Sequence, residues 1–509
     1  MASPLGNTSV ATSAGSDVAP APADPQSLQA ILDNYLAPAG IRNVELHGAR
    51  YTRRSLLDHI IKPLVEAGSK PTSTLGDVVN HIGIVQAKLD RLGIFVPESF
   101  DVFLADSPEP PLYPGRTEID LSFKVKERSR LALGAGTDFG NTEGSAYTNV
   151  ELRNIFGGAE TLNVNARTGT RTRSAYNAVL SAPVNGNPDI RLSAELQQSA
   201  TQKPWASHEE DLTGTSLRLA WQKPETGDTH AFSLSNIWRQ VTGLTGSASP
   251  TVRLDAGDTL KNSLTYTFTR DRYDRVNTPS PTLPQRGYFT RVVGELAGWG
   301  PLKGDVSFLK TEVELSATNP VSLPGIKEPT GVTFGGGFRA GLLYPLPTGY
   351  SVTGSALPSR INDRFQLGGP TDVRGFKIGG LGPHDGVDAV GGDVYAAGGV
   401  NMMFPLPRGG PTSPLRFQVF ANSGRLVAIK NKSSKSKESL GMDSATVSQG
   451  VRSAVGELTN SLPSTAVGVG LVYAHPVARF ELNFSLPLIL RRGEEGRKGL
   501  QVGVGINFL

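Results

Sequence analysis

The chain has 509 residues, no cysteine and a formal net charge of only +4. Those counts exclude a disulfide framework, a cysteine-held metal and a thiol nucleophile, and they give no sign of a nucleic-acid binder. Glycine reaches 59 and proline 36, a balance unlike that of an ordinary soluble enzyme. No run of 18 apolar residues occurs, so a transmembrane helix is excluded, and a soluble all-β protein or a membrane barrel remains.

Residues 1–39 read as an N-terminal arm, mostly disordered, rich in Ala, Pro and Ser, with a short helix expected at 26–36. The first basic residue is Arg42, and the arm has neither a basic start nor an apolar core. It therefore resembles neither a secretory signal nor an Arg-rich presequence; with Met1 as the start, no cleavable N-terminal address is expected. A strand at 41–48 is followed by a helix carrying Leu56, Leu57, Ile60, Ile61 and Leu64, which Pro63 should kink or shorten. A second helix places Leu75, Val78, Val79, Ile82, Val85, Leu89 and Leu92 on one face, and Gly93 stops it. Two alternating strands, "SFDVFLA" and "TEIDLSFKVKER", complete a strand–helix–helix–strand–strand unit over 40–128.

From residue 129 to 509 the pattern is alternation only. Sixteen segments follow one another, from "RLALGAGTDFG" to "LQVGVGINFL". In "RFELNFSLPL", Phe480, Leu482, Phe484, Leu486 and Leu488 point one way, and Arg479, Glu481, Asn483 and Ser485 the other. Such a succession, with few helices to cover the apolar face, predicts closure with lipid outside and water within. The expected fold is an all-β transmembrane barrel of about 16 antiparallel strands, preceded by one small α+β domain.

Two insertions interrupt the alternation. One spans 346–390 and contains "RFQLGGPTDVRGFKIGGLGP", where dense glycine permits close backbone approach. The other spans 424–463. There a basic patch (Lys430, Lys432, Lys435, Lys437) precedes a helix with Val447, Val451, Val455 and Leu458 on one face. Read from the residues, this second insert is either a solvated loop with a packed helix or a docking surface for an accessory subunit or anionic lipid.

Val373-Arg374-Gly375-Phe376 resembles the (V/I)RGF motif of the outer-membrane barrel assembly superfamily, the bacterial surface antigen family. The resemblance covers about residues 40–509. It implies that the 346–390 loop folds into the lumen and that Arg374 docks on the barrel wall. The family's F-x-D-x-G partner motif corresponds to Phe420, Asn422 and Gly424, with Asn in place of Asp. A hydrogen bond from Arg374 to Asn422 is therefore expected, or a different partner such as Glu481. The 40–128 unit resembles a single POTRA domain. One such domain ahead of sixteen strands is similar to the barrel subunit of the mitochondrial sorting and assembly machinery, the SAM or TOB complex.

The C-terminal stretch fits the β-signal of mitochondrial barrels, with Gln501 at the polar position, Gly503 as the glycine, and Ile506 and Phe508 as the hydrophobic pair. Closure must bring strand 1 to strand 16, and both carry inward glycines there: Gly134 and Gly136, beside Leu133, and Gly503 and Gly505. These glycines either make room for the inserted loop or weaken the seam. The second reading, which the resemblance favours, is a lateral gate at which an incoming strand replaces strand 16 by β-augmentation.

No H-E-x-x-H, G-x-S-x-G or Walker pattern occurs, and Gly335-x-Gly337-x-x-Ala340 lies within an alternating strand with no helix after it. The expectation is a protein with no enzymatic activity and no cofactor, acting as an insertase for β-barrel precursors in the mitochondrial outer membrane. Its POTRA domain would lie in the intermembrane space. Its partners would be precursors, accessory cytosolic subunits and the lipid bilayer, with no nucleic acid. The alternative is a protein-conducting translocation channel of the same superfamily.

Overall fold

The computed structural model describes residues 34–505 except 98, 109–110, 112, 141–142, 276–277, 279, 281, 323–329, 348–354, 407–409, 411–412, 431–441 and 477. Most of the N-terminal arm, Lys432, Lys435, Lys437, Ile506 and Phe508 lie outside these residues. Of the helix expected at 26–36, the described part, 34–36, is a turn.

The N-terminal unit is β1 (Ala39–His47), α1 (Arg54–Gly68), α2 (Leu75–Leu92), β2 (Asp101–Asp106) and β3 (Thr117–Lys124). Its sheet has the order β1-β3-β2, with β1 parallel and β2 antiparallel to the central strand. Leu57, Ile60, Leu64, Val85, Leu89 and Leu121 meet in one core, as the 3.6-residue spacing of the two helices requires. Thr74 and Asp77 form a reciprocal capping box at the start of α2, and Gly93 ends it at φ 75°. Pro63 does not shorten α1, which runs five residues further to Gly68.

Sixteen strands form the second sheet. In chain order they are β4 (Leu131–Gly140), β5 (Glu143–Arg153), β6 (Thr161–Gly169), β7 (Thr172–Val184), β8 (Asn187–Lys203), β9 (His208–Gln222), β10 (Thr229–Thr242) and β11 (Gly257–Asp271). Then come β12 (Gly287–Ala297), β13 (Phe308–Pro320), β14 (Thr333–Pro345), β17 (Val394–Pro405), β18 (Leu415–Val427), β19 (Ser464–Ala474), β20 (Arg479–Ile489) and β21 (Gly499–Gly505), and a short helix, α3 (Pro250–Leu254), lies between β10 and β11. The two-residue strands β15 (His384–Asp385) and β16 (Asp388–Ala389) pair with each other inside the long loop. Each sheet strand neighbours the next in sequence, and the order runs from β21 to β4. All sixteen segments marked by alternation are strands of this sheet.

Two compact units emerge. One joins the POTRA domain, through Gly134, with 149–164 and 178–194; the other holds the remaining barrel. Within the first, Arg53 donates its N–H to Gly157 O at 2.8 Å, Arg91 pairs with Asp189 at 2.8 Å, and Asn154 donates to Thr52 Oγ1 at 3.0 Å. The β5–β6 and β7–β8 turns are thus fastened to the POTRA core.

In the barrel unit the alternation is literal. Phe480, Leu482, Phe484 and Leu486 on β20 are exposed, while Arg479, Glu481, Asn483 and Ser485 are buried. An apolar exterior around a polar interior fits a lipid-facing wall. The second insert begins later than 424, because Gly424 through Val427 stay in register with Ala397 through Val394. Its helix, α4 (Ser444–Thr459), buries Val447, Val451 and Ala454; Val455, expected on that face, is exposed. Val447 and Val451 pack with Ala356, Met442, Leu342 and Tyr344, which draws the helix face one residue away from Val455.

Candidate functional site: the docked loop and the terminal strand

The inner faces of β18, β19, β20 and β21 build the site. Period-two alternation turns Gln418, Phe420, Asn422 and Gly424 inward on β18, and Arg479, Glu481, Asn483 and Ser485 inward on β20. Between them β19 offers Ala466, Gly468 and Gly470. A Cβ at Gly468 would lie 2.4 Å from the Phe420 ring, and one at Gly470 would lie 2.0 Å from Asn483 Oδ1. Small residues on β19 therefore leave a trough that neighbouring side chains and the loop share.

The loop enters this trough tip first. Upstream, Asp363 accepts two hydrogen bonds from Arg239, at 2.6 and 3.1 Å, and Lys310 Nζ donates to Asp363 O at 2.9 Å. Phe365 meets Tyr395 edge-on at 4.7 Å between ring centroids. Further along, Asp372 pairs with Arg339 and accepts from the Gly368 N–H at 2.7 Å. Loop residues Leu367, Val373, Phe376 and Leu381 join wall residues Leu343, Leu426 and Ala466 in one apolar cluster. Gly424 fits beneath it, since a Cβ there would lie 3.0 Å from Leu367 and 3.1 Å from Val373.

Arg374 is fully buried at 0% exposure. Its Nε donates to Glu481 Oε2 at 2.9 Å and its Nη2 to Glu481 Oε1 at 3.2 Å, a fork that matches a carboxylate. Both partners foreseen for Arg374 are engaged. With its amide oxygen turned to the loop, Asn422 accepts from the Arg374 N–H and from Nη1, each at 3.1 Å. The Phe420 ring centroid lies 5.0 Å from the guanidinium carbon. Glu481 is shared further: it pairs with Arg479 and accepts from Asn483 Nδ2 at 2.7 Å and Gln418 Nε2 at 3.1 Å. One carboxylate thus serves two guanidiniums inside the wall. The carboxylate that faces Arg374 stands on β20, at Glu481, and position 422 supplies a neutral amide.

Gly375 has φ 89°, and a Cβ there would lie 2.5 Å from Ala466 Cβ. Only glycine suits such a place. Its N–H donates to Gln501 Oε1 at 2.8 Å, and Gln501 Nε2 donates to Phe376 O at 3.2 Å. The loop tip also pairs with the β20–β21 connection. Arg497 N–H donates to Gly375 O at 2.8 Å, Lys377 N–H to Glu495 O at 3.1 Å, and Glu495 N–H to Gly380 O at 2.8 Å. Sequence reasoning named Gln501 only as a signal position and missed this pairing. A polar residue amid "GLQVGVG", on the inward parity, was the available sign.

At the ends of the strand order, Gln501 and Gly503 are buried on β21, while Leu500 and Val502 face out. On β4, Leu133 and Gly134 are both exposed, and Gly136 is half-buried. Among the described residues, a Cβ on Gly134 would meet no atom within 4 Å, whereas one on Gly136 would lie 2.7 Å from the Tyr147 hydroxyl. Gly505 is half-buried at the last described position.

A POTRA domain ahead of a sixteen-stranded barrel, with a long loop anchored inside by a buried arginine, defines an outer-membrane-type barrel with an internal lock. Residues 154–508 match the Omp85 superfamily domain. The SAM50-like protein of Schizosaccharomyces pombe is 37% identical over 494 residues, spanning 95% of this chain and 94% of that one. The sorting and assembly machinery component 50 homolog of Homo sapiens is 30% identical over 491 residues, spanning 96% and 93%. In fold, the chain is similar to BamA from Haemophilus ducreyi lacking POTRA domains 1-3, with TM-score 0.67 at 16% identity over 92% of this chain and 84% of that one. The chain belongs to the Omp85 superfamily and, within it, to the family of sorting and assembly machinery component 50.

Proposed function

We propose that this protein is a non-enzymatic insertase that folds β-barrel precursors into the mitochondrial outer membrane through a lateral gate between β4 and β21. The supporting observation is the lumen. Loop 346–390 is tied to β10 through Arg239–Asp363 and to β20 through Arg374–Glu481, so the interior carries a fixed occupant while the wall carries the working surface. A chain-conducting channel would need that occupant removed. The kinship with sorting and assembly machinery proteins supports the same reading.

Unpaired backbone groups in hydrocarbon cost several kcal/mol each, so a precursor strand that pairs with β4 as β21 withdraws is exchanged at little net cost. Backbone hydrogen bonding drives the step and no nucleotide is consumed. The POTRA domain would sit in the intermembrane space and guide precursors. Accessory cytosolic subunits would work from the side of the 346–390 loop, near α4. Reconstitution into liposomes tests this: the purified chain should deliver an added barrel precursor into the bilayer as a protease-resistant barrel. Precursor recovered free in the vesicle interior would contradict an insertase and point to a channel.

A further inference from the structure

We propose that the backbone of Gly375 and Phe376 forms a carboxamide-reading subsite, filled at rest by Gln501 and taken over by the polar residue of an incoming signal strand. This rests on the insertase reading and names what the gate recognises besides backbone. The subsite offers one donor, the Gly375 N–H, and one acceptor, the Phe376 carbonyl, 2.8 and 3.2 Å from the two ends of one amide. A primary carboxamide answers both at once from two separate atoms, whereas a hydroxyl would have to serve both groups from one oxygen. A carboxylate offers only acceptors and an ammonium only donors. Ser485 Oγ, 3.3 Å from Gln501 Oε1, adds a second donor on the oxygen side and strengthens that polarity.

The subsite is built to outlast the strand that fills it. Arg374 immediately precedes Gly375 and is anchored on Asn422 of β18 and Glu481 of β20, neither of them on β21. Gly375 is wedged against Ala466 of β19. When β21 withdraws, the loop tip keeps its grip on the wall, and a buried N–H and C=O lose their partner together. Buried unpaired groups of this kind are costly. A replacement strand in the β21 register that presents Gln restores both bonds, whereas one presenting Leu restores neither.

The probe is an arrested precursor ending in residues 464–509 of this chain, with Gln, Glu, Lys or Leu at the position of Gln501 and one cysteine beside it. The full-length chain carries Gly134→Cys in its membrane, and the readout is the initial rate of disulfide formation. Loss of two neutral hydrogen bonds predicts a rate about tenfold lower for Leu than for Gln, with Glu and Lys in between. In the chain itself, Gln501→Leu should raise the rate with the Gln precursor, because the resident strand then competes less well. Equal rates for Gln and Leu precursors would overturn the subsite and leave the insertase reading standing. No disulfide with any precursor would overturn the insertase reading, and the subsite with it.

Discussion

Arg374 brings a full charge into the barrel wall, and its neighbours decide what each substitution does. Arg374→Ala leaves Glu481 paired with Arg479, so the barrel should still assemble while the loop loses its anchor. Limited proteolysis should then cut the 346–390 loop, and unchanged resistance would count against the lock. Glu481→Gln is predicted to be worse, since it removes the carboxylate that both guanidiniums share. Breaking a buried pair by deleting one partner costs about 3–5 kcal/mol, and a lowered unfolding temperature of the barrel would show it. Gly375→Ala should undock the loop with every charge intact, through its positive φ and the approach to Ala466. Arg374 and its motif were legible through the resemblance to the (V/I)RGF motif, since dense glycine alone also fits a flexible loop carrying an exposed Arg. The sequence did not settle the partner. Asn422 and Glu481 lie on different strands, and only the register of β18, β19 and β20 shows that both reach one guanidinium.

At the scale of elements, helix α2 depends on its capping box. Thr74 donates its N–H to Asp77 Oδ2 at 3.0 Å and its hydroxyl to the same oxygen at 2.9 Å. These bonds, the backbone one foremost, hold the Asp77 carboxyl below its ordinary value. A depressed folded-state value gives stability that is present above the usual carboxylate range, near pH 4, and lost as pH falls through it. The protection factor at the first turn of α2, which is exchange corrected for its intrinsic pH dependence, should therefore fall on acidification, and Asp77→Asn should remove that pH dependence. Thr74→Ala should cost about 1 kcal/mol of local protection above that carboxylate range and less below it, where the hydroxyl no longer meets a charged carboxylate. For α4, Val451→Asp would place a charge among Ala356, Met442 and Tyr344. The helix should detach and become cleavable at Arg452, with the barrel unaffected. The 3.6-residue spacing made all three long helices legible. The choice of Ala454 over Val455 was not, because two adjacent small apolar residues give no sign of which one the wall will cover.

For the whole molecule, sixteen alternating segments became sixteen strands because lipid outside and polar groups inside impose the same period-two rule on every one of them. What alternation cannot carry is long-range contact. The pairing of Gly375–Gly380 with Glu494–Arg497, and the hold of Gln501 on the loop, join segments more than 100 positions apart. Period and propensity are local quantities and do not record such pairs. The central claim is a gate at β4 that accepts a foreign strand. The absence of native cysteine makes one measurement direct: disulfide capture of an arrested barrel precursor with one cysteine in its signal strand, comparing Gly134→Cys on β4 with Glu314→Cys on the inward face of β13. The account predicts capture at position 134 that disappears when the signal is mutated, with little at 314. Capture at 314 and none at 134 would contradict it, placing the precursor in the lumen instead of at the seam.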